Sequence, residues 1–265
     1  MNSTSATPDR ATSLVQNIFH HDADNVGDRL CGPANYFLQG QMIKENLRSP
    51  IRPKDRTIFG GGQIFGQISS ATIAAEGASL VAWGVGIPRK GVKDREVRNV
   101  TARFDLFGTR NFEWSDELDF VPCVSCMSGI FDDLPAPTHD VVVYGHRSKA
   151  PDLKVPKGVP FLTNRNQPPE DAARFLASGE TIVTSSYHGV YWAQLIGRKV
   201  ICIPFNDKFR TFQYPPCYST TDRWMHDLHL GSRTDPLLEE YREINRQFFM
   251  KVARRWDLAT EKDSL

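Results

Sequence analysis

Apolar residues along this chain fall into short runs punctuated by glycine and proline, and the runs alternate between strand and helix spacing. The clearest unit is residues 181–204, TIVTSSYHGVYWAQLIGRKVICIP. Its β-branched opening, Thr181, Ile182, Val183 and Thr184, is bounded by Gly179 and a serine pair and predicts a buried strand. Ser185 or Ser186 then caps a helix over residues 187–196. Val190, Tyr191, Trp192, Ala193, Leu195 and Ile196 make it apolar nearly all round, the pattern of a helix inside a domain. Gly197 ends the helix and residues 200–203 form the next strand, a unit of the kind that builds parallel sheets.

The same reading places strands at residues 14–19, 57–59, 78–88, 100–106, 119–123, 140–148 and 159–162. Helices are predicted from about Arg29, capped by Asp28, over residues 68–76 and over residues 168–179. A final helix, capped by Asp235 and opened by Pro236, carries an apolar stripe through Leu237, Leu238, Tyr241, Ile244, Phe248, Phe249, Val252 and Trp256. The chain thus reads as α/β, in two consecutive Rossmann-like lobes of residues 14–135 and 136–232. A helix and tail follow at residues 233–265, and the proline-bearing segment 131–140 is the linker.

Composition narrows the class. With 265 residues, 40% of them hydrophobic, the chain can build one large core or two modest ones. A net charge of +1 argues against a nucleic-acid partner, whose phosphates call for a basic face. Five cysteines make no disulfide framework in a chain of this size, and a reducing compartment is the default. The polar N-terminus, residues 1–13, reads as a disordered tail rather than a signal peptide, and no apolar run is long enough to span a bilayer. The expectation is a cytoplasmic protein, free or peripheral at the inner face of the membrane.

Chemistry concentrates at strand ends. His188 and Gly189 occupy the first turn of the buried helix, where free N–H groups and the helix dipole favour an anion. Ser185, Ser186 and His188 either complete a phosphate site there or only cap the helix and bond a neighbouring loop. Asn25, Gly27 and Asp28 form an N-x-G-D turn whose glycine permits an approach that a side chain would obstruct. Gly60, Gly61 and Gly62 end a strand, either to admit a ligand or to pack tightly; they match neither a Walker loop nor GxGxxG. Arg110, in a loop after another strand, either binds a carboxylate or phosphate through its fork or pairs with Glu113 or Asp116. The lone CxxC of Cys123 and Cys126 is half a structural zinc site and reads as two small buried residues; spacing offers no metal cluster.

Together, NVGD, the glycine triplet, ASLVAWGVGIP, the Arg110 loop and above all SSYHGVYWAQLIGRKVICIP resemble the polysaccharide pyruvyl transferase family, over residues 14–209. The resemblance implies a GT-B-like fold, two lobes facing a cleft with the C-terminal helix packed back toward the first. It also implies transfer of the pyruvyl group of phosphoenolpyruvate onto sugar hydroxyls as a ketal, in exopolysaccharide or cell-surface glycan synthesis. No cofactor or metal is implied; phosphoenolpyruvate is the co-substrate, and the acceptor is a saccharide, free or lipid-linked. Carried onto this chain, His188 matches the functional histidine, Ser186 and Gly189 its flanks, and Asn25, Gly27 and Asp28 the N-terminal motif. By its chemistry, apart from the resemblance, Asp28 is a candidate base for an acceptor hydroxyl, and His188 either transfers a proton or holds the phosphate. Arg110 matches the arginine, although Asn111 stands where many members carry an acid. Two other readings use the same residues: a glycosyltransferase of this architecture with a nucleotide sugar, and a glycan-pathway binding protein without turnover.

Overall fold

The computed structural model describes residues 14–52, 55–75, 77–148 and 153–258. The expected disordered tail, residues 1–13, lies outside the described residues. The rest is a mixed α/β structure containing two parallel sheets.

In the first sheet β1 (Val15–Ile18), β2 (Met42–Glu45), β3 (Arg56–Phe59), β4 (Ser79–Val85), β5 (Leu106–Thr109) and β6 (Asp119–Phe120) run in the order β2-β1-β3-β4-β5-β6. In the second, β7 (His139–Gly145), β8 (Phe161–Thr163), β9 (Gly179–Thr184), β10 (Lys199–Cys202) and β11 (Cys217–Tyr218) run β11-β10-β9-β7-β8. The central strands are buried on both faces, which is why they read as continuous apolar runs; Val142 lies opposite Ile182, and Val183 opposite Ile201. Strand order reverses between β1 and β3 in one sheet and between β7 and β9 in the other. Such switch points open a crevice at the strands' carboxyl ends.

The helices are α1 (Val26–Arg29), α2 (Ala34–Phe37), α3 (Phe65–Ala71), α4 (Asp94–Thr101), α5 (Pro169–Ala177), α6 (Tyr187–Leu195) and α7 (Leu238–Trp256). Every residue of α6 is buried, as its apolar circumference requires. One core cluster joins Tyr187, Tyr191 and Trp192 of α6 to Val26, Cys31, Cys123 and Phe131 of the first half, so the two sheets share an interior. Polar bonds fix this junction: Tyr191 Oη donates to Cys123 O (2.6 Å) and Trp192 Nε1 to Ser125 Oγ (3.0 Å).

The last helix returns to the first sheet. Phe248, Val252 and Trp256 of α7 pack with Val15, Val81 and Trp83. Asn245 is fully buried beside them; it accepts from Trp83 Nε1 (2.7 Å) and donates to Tyr241 O (2.8 Å). Asn245→Ala strands the indole N–H and is expected to cost about 1–3 kcal/mol in urea unfolding, the penalty of a buried unsatisfied donor. An unchanged midpoint would show that α7 is held by its apolar stripe alone.

Several boundaries differ from the sequence reading. Residues 100–106 are not a strand: Val97 and Val100 lie on one buried helical face, with Arg95, Glu96 and Arg98 exposed, so α4 runs to Thr101 and β5 starts at Leu106. Asn25, not Asp28, caps α1, its Oδ1 accepting from Gly27 N–H at 3.2 Å. α7 starts at Leu238, and Leu237 precedes it without a side-chain cap, so Asp235 and Pro236 only lead in. β6 is confined to Asp119–Phe120. The helix expected from about Arg29 is instead two short ones, α1 ending at Arg29 and α2 at Ala34–Phe37. The sequence reading named neither β2 nor β11; β2 is half-buried and charged, so it carries neither an apolar run nor clean alternation.

Candidate functional site

Both switch points open onto one pocket. From the first half it is lined by His20, Asn25, Asp28, Gly62, Gln63 and Arg110, and from the second by His146, Arg147, Ser186, Tyr187, His188 and Lys208. His20 follows β1, Gly62 follows β3, His146 follows β7 and Ser186 follows β9, so the topology itself assembles the site. Its volume is about 190 Å³. That is below the roughly 300–1,000 Å³ of pockets for drug-sized ligands and suits a small, highly charged one.

The α1 turn is docked on the second half. Asn25 and Arg165 form an antiparallel bridge, and Val26 N–H donates to Asn164 O at 3.0 Å. The fully buried Asn164 side chain donates to Asn25 Oδ1 (3.1 Å) and Ser186 Oγ (3.4 Å) and accepts from Arg147 N–H (2.7 Å). On the far side, Phe112 N–H donates to Thr211 O at 3.0 Å. The lobes are stitched on both flanks of the pocket.

His188 sits at the centre of this junction, 3% exposed. Its Nδ1 lies 3.9 Å from Asp28 Oδ1, and the other carboxylate oxygen accepts from Asn25 Nδ2 at 2.8 Å. The ring packs against Gly27, where a Cβ would come within 2.1 Å of Nδ1; this is the approach the N-x-G-D glycine permits. Ser186 caps α6, accepting from Gly189 N–H at 3.4 Å, which leaves the helix's first N–H groups without intrahelical partners.

Nε2 of His188 points the other way, into sulfur: Cys123 Sγ is 3.5 Å away and Cys31 Sγ 3.6 Å, with 3.4 Å between the two sulfurs. The bond between the thiols keeps Cys31 well above the ordinary thiol range, with burial adding to it. The same bond holds Cys123 well below that range, against burial and aided by His188 and Ser125. Cys126, the other member of the CxxC, is also buried but turns away, its Sγ meeting Asn245 Nδ2 at 3.4 Å. The cluster is invisible to spacing because its members come from α6, the segment after β6 and the end of the α1 turn.

Arg110 is 5% exposed, with its guanidinium carbon 3.8 Å above the Tyr187 ring, which stacks in turn on Phe212 at 4.5 Å. Among the described residues no ion pair or side-chain hydrogen bond reaches that guanidinium; Glu113 approaches Arg89 instead, at 3.7 Å. Asn111 has its own task, accepting from Ile87 N–H (2.9 Å) and donating to Ile87 O (2.7 Å), a double bond-pair that a carboxylate would break. Lys208 adds a second cation, its Nζ 4.7 Å from the Phe205 ring. Burial and the nearby Arg110 push the Lys208 ammonium down to about 8. Arg147 also lines the pocket but is paired with Asp24.

Of the residues expected at the site, Asn25, Asp28, Gly62, Arg110, Ser186 and His188 line the pocket. Gly27 and Gly189 pack behind it, Gly189 where a Cβ would meet Thr184 Oγ1 at 2.2 Å. Ser185 Oγ accepts from His146 N–H (2.9 Å), while Gly60 and Gly61 N–H donate to Ile18 O and Cys31 O. These three hold the walls. Sequence reasoning missed His146, Asn164 and Cys31; Lys208 was reached only as part of the aromatic and basic stretch 206–224, read as either an ordinary loop or the lining of a cleft, and it does line the pocket. No helix among the described residues is long and apolar enough to cross a membrane. In comparisons with known proteins, no family model and no curated sequence matches this chain.

Proposed function

We propose that this chain is a GT-B-like pyruvyl transferase that moves the pyruvyl group of phosphoenolpyruvate onto two hydroxyls of a saccharide as a cyclic ketal. The observation that carries the reading is Arg110: a nearly buried guanidinium without an anionic partner among the described residues, held over Tyr187 at the wall of a small pocket. A buried cation without a partner is costly, and a ligand carrying phosphate and carboxylate removes that cost. Lys208 and the start of α6 supply further attraction for the same charges. The pocket volume favours this donor over a nucleotide sugar.

In the reaction, one acceptor hydroxyl adds to C2 of the enol while the methylene takes a proton. The second hydroxyl then displaces phosphate, and the two hydroxyl protons replace the one consumed and accompany the leaving phosphate. Asp28 is placed to accept a hydroxyl proton, oriented by Asn25 and His188. Lys208, with its pKa brought near working pH, is the group tuned to hold the phosphate and deliver the proton.

A pH signature follows. Below about 8 Lys208 is charged and donor binding is complete; above it the ammonium is lost and affinity falls, the bound anion moving the break somewhat upward. The ligand-free fold responds oppositely, gaining stability between about 8 and the ordinary lysine value because the unfolded chain there binds more protons. The test is phosphate release from phosphoenolpyruvate across a panel of saccharides, with mass spectrometry for the ketal. Acceptor-dependent release that weakens above pH 8, and whose pH step disappears in Lys208→Met, is the expected result. Glycosyl transfer from a nucleotide sugar, or no saccharide-dependent release, would overturn the reading.

A further inference from the structure

We propose that Cys31, Cys123 and His188 form a binding site for a divalent, thiophilic metal ion, zinc by its donor set, which clamps the two halves of the chain together. The site goes beyond pyruvyl transfer and does not rest on it.

The three donor atoms make a nearly equilateral triangle with sides of 3.4, 3.5 and 3.6 Å. A point equidistant from them, in their plane or raised to a tetrahedral centre, lies about 2.0–2.1 Å from each, against roughly 2.0–2.1 Å for zinc–imidazole and 2.3 Å for zinc–thiolate bonds. A slight outward movement of the sulfurs completes the fit. The donors converge from segments 65, 92 and 157 residues apart, and all three residues are buried. Ordinary core cysteines behave as small apolar groups and have no reason to aim both sulfurs at one imidazole nitrogen.

Charge and surroundings agree. Two thiolates and a neutral imidazole cancel a divalent ion, so the filled site places no net charge in the interior. Soft sulfur with imidazole selects zinc over magnesium or calcium. The outer nitrogen of His188 faces Asp28, itself held by Asn25, the carboxylate–histidine arrangement that commonly backs a zinc ligand. Without metal, Cys31 Sγ is satisfied by Gly27 O at 3.2 Å and Cys123 Sγ by Ser125 Oγ at 3.3 Å, so the cluster tolerates both forms. Three protein donors leave one coordination position open, as in reactive rather than closed structural sites.

The test uses the full chain, purified under reducing conditions without chelator and analysed for metal. Stoichiometric zinc is expected, surviving dialysis and present in Cys126→Ala, but lost from Cys31→Ala and Cys123→Ala; a strong chelator should lower the melting temperature of the wild type and of Cys126→Ala, and leave that of Cys31→Ala and Cys123→Ala unchanged. Should the cysteine variants fail to fold, the cobalt-loaded wild type carries the test. It should show sulfur-to-cobalt charge transfer with the intense visible bands of a four-coordinate ion. Zinc retained in full by Cys31→Ala, zinc lost equally from Cys126→Ala, or a zinc-loaded wild type that holds none after dialysis would each overturn the proposal. So would a Cys31–Cys123 disulfide as the purified, metal-refractory form.

Discussion

Arg110→Met is expected to weaken the response to phosphoenolpyruvate strongly while leaving the ligand-free protein as stable as before, or more so. The guanidinium is 5% exposed and makes no ion pair among the described residues, so its burial carries a desolvation cost that the Tyr187 ring offsets in part and a bound anion would offset further. Methionine fills similar space over Tyr187 and keeps an apolar contact, though it forfeits a desolvated cation–π interaction of about 2 kcal/mol. These contributions oppose one another, and the urea midpoint should stay level or rise. Binding has no such compensation: a charged hydrogen bond of about 1.5–3 kcal/mol is lost, weakening the donor roughly ten- to a hundredfold. The readouts are urea unfolding of the free protein and the melting-temperature rise in millimolar phosphoenolpyruvate. A variant that is badly destabilised yet still responds to the ligand would make Arg110 a structural residue.

The second large effect is expected at Gly27. An alanine Cβ there would lie 2.1 Å from Nδ1 and 2.2 Å from Cγ of His188, so either the imidazole swings away or α1 lifts off α6. Neither relaxation is free, because the ring is wedged among Asp28, two sulfurs and Trp192. Overpacking of this kind costs about 1–3 kcal/mol and more where backbone must move. The loss should appear in urea unfolding and again as weaker donor binding, since Asp28 and the start of α6 shift together. Gly66→Ala is the matched control: nothing lies within 4 Å of its added methyl group in α3, and a gain of about 0.5–1 kcal/mol is expected. Equal effects at the two glycines would mean that helix propensity, not the His188 contact, governs Gly27.

The parts of this fold legible in the sequence were those whose chemistry is local. α6 is buried on every side, as are β9 apart from Glu180 and β7 from Val142 onward, so their apolar runs leave little choice of element. The turn glycine at position 27 could be read as making room for something; that the something is His188, 161 residues later, is a fact of packing. Residues 100–106 were misread because Val100, Phe104 and Leu106 suit a strand until Val100 is paired with Val97 on the buried face of α4, which leaves only Leu106 to β5. The site divides in the same way. Helix-start residues Ser186 and His188 and the strand-end arginine announce themselves by position, whereas Lys208, Asn164 and Cys31 acquire meaning only when the two sheets meet. Arg110 shows the limit most plainly: its competing partners were adjacent in sequence, and the fold gave Glu113 to Arg89.

The pocket between the two switch points is proposed as a site for a small donor that carries both a phosphate and a carboxylate. Titration calorimetry of the full chain with phosphoenolpyruvate, beside UDP-glucose, tests it most directly. Saturable binding of phosphoenolpyruvate that is strongly weakened in Arg110→Met, with no heat from UDP-glucose, is the predicted result. Binding of UDP-glucose with phosphoenolpyruvate silent, or silence from both, would contradict it.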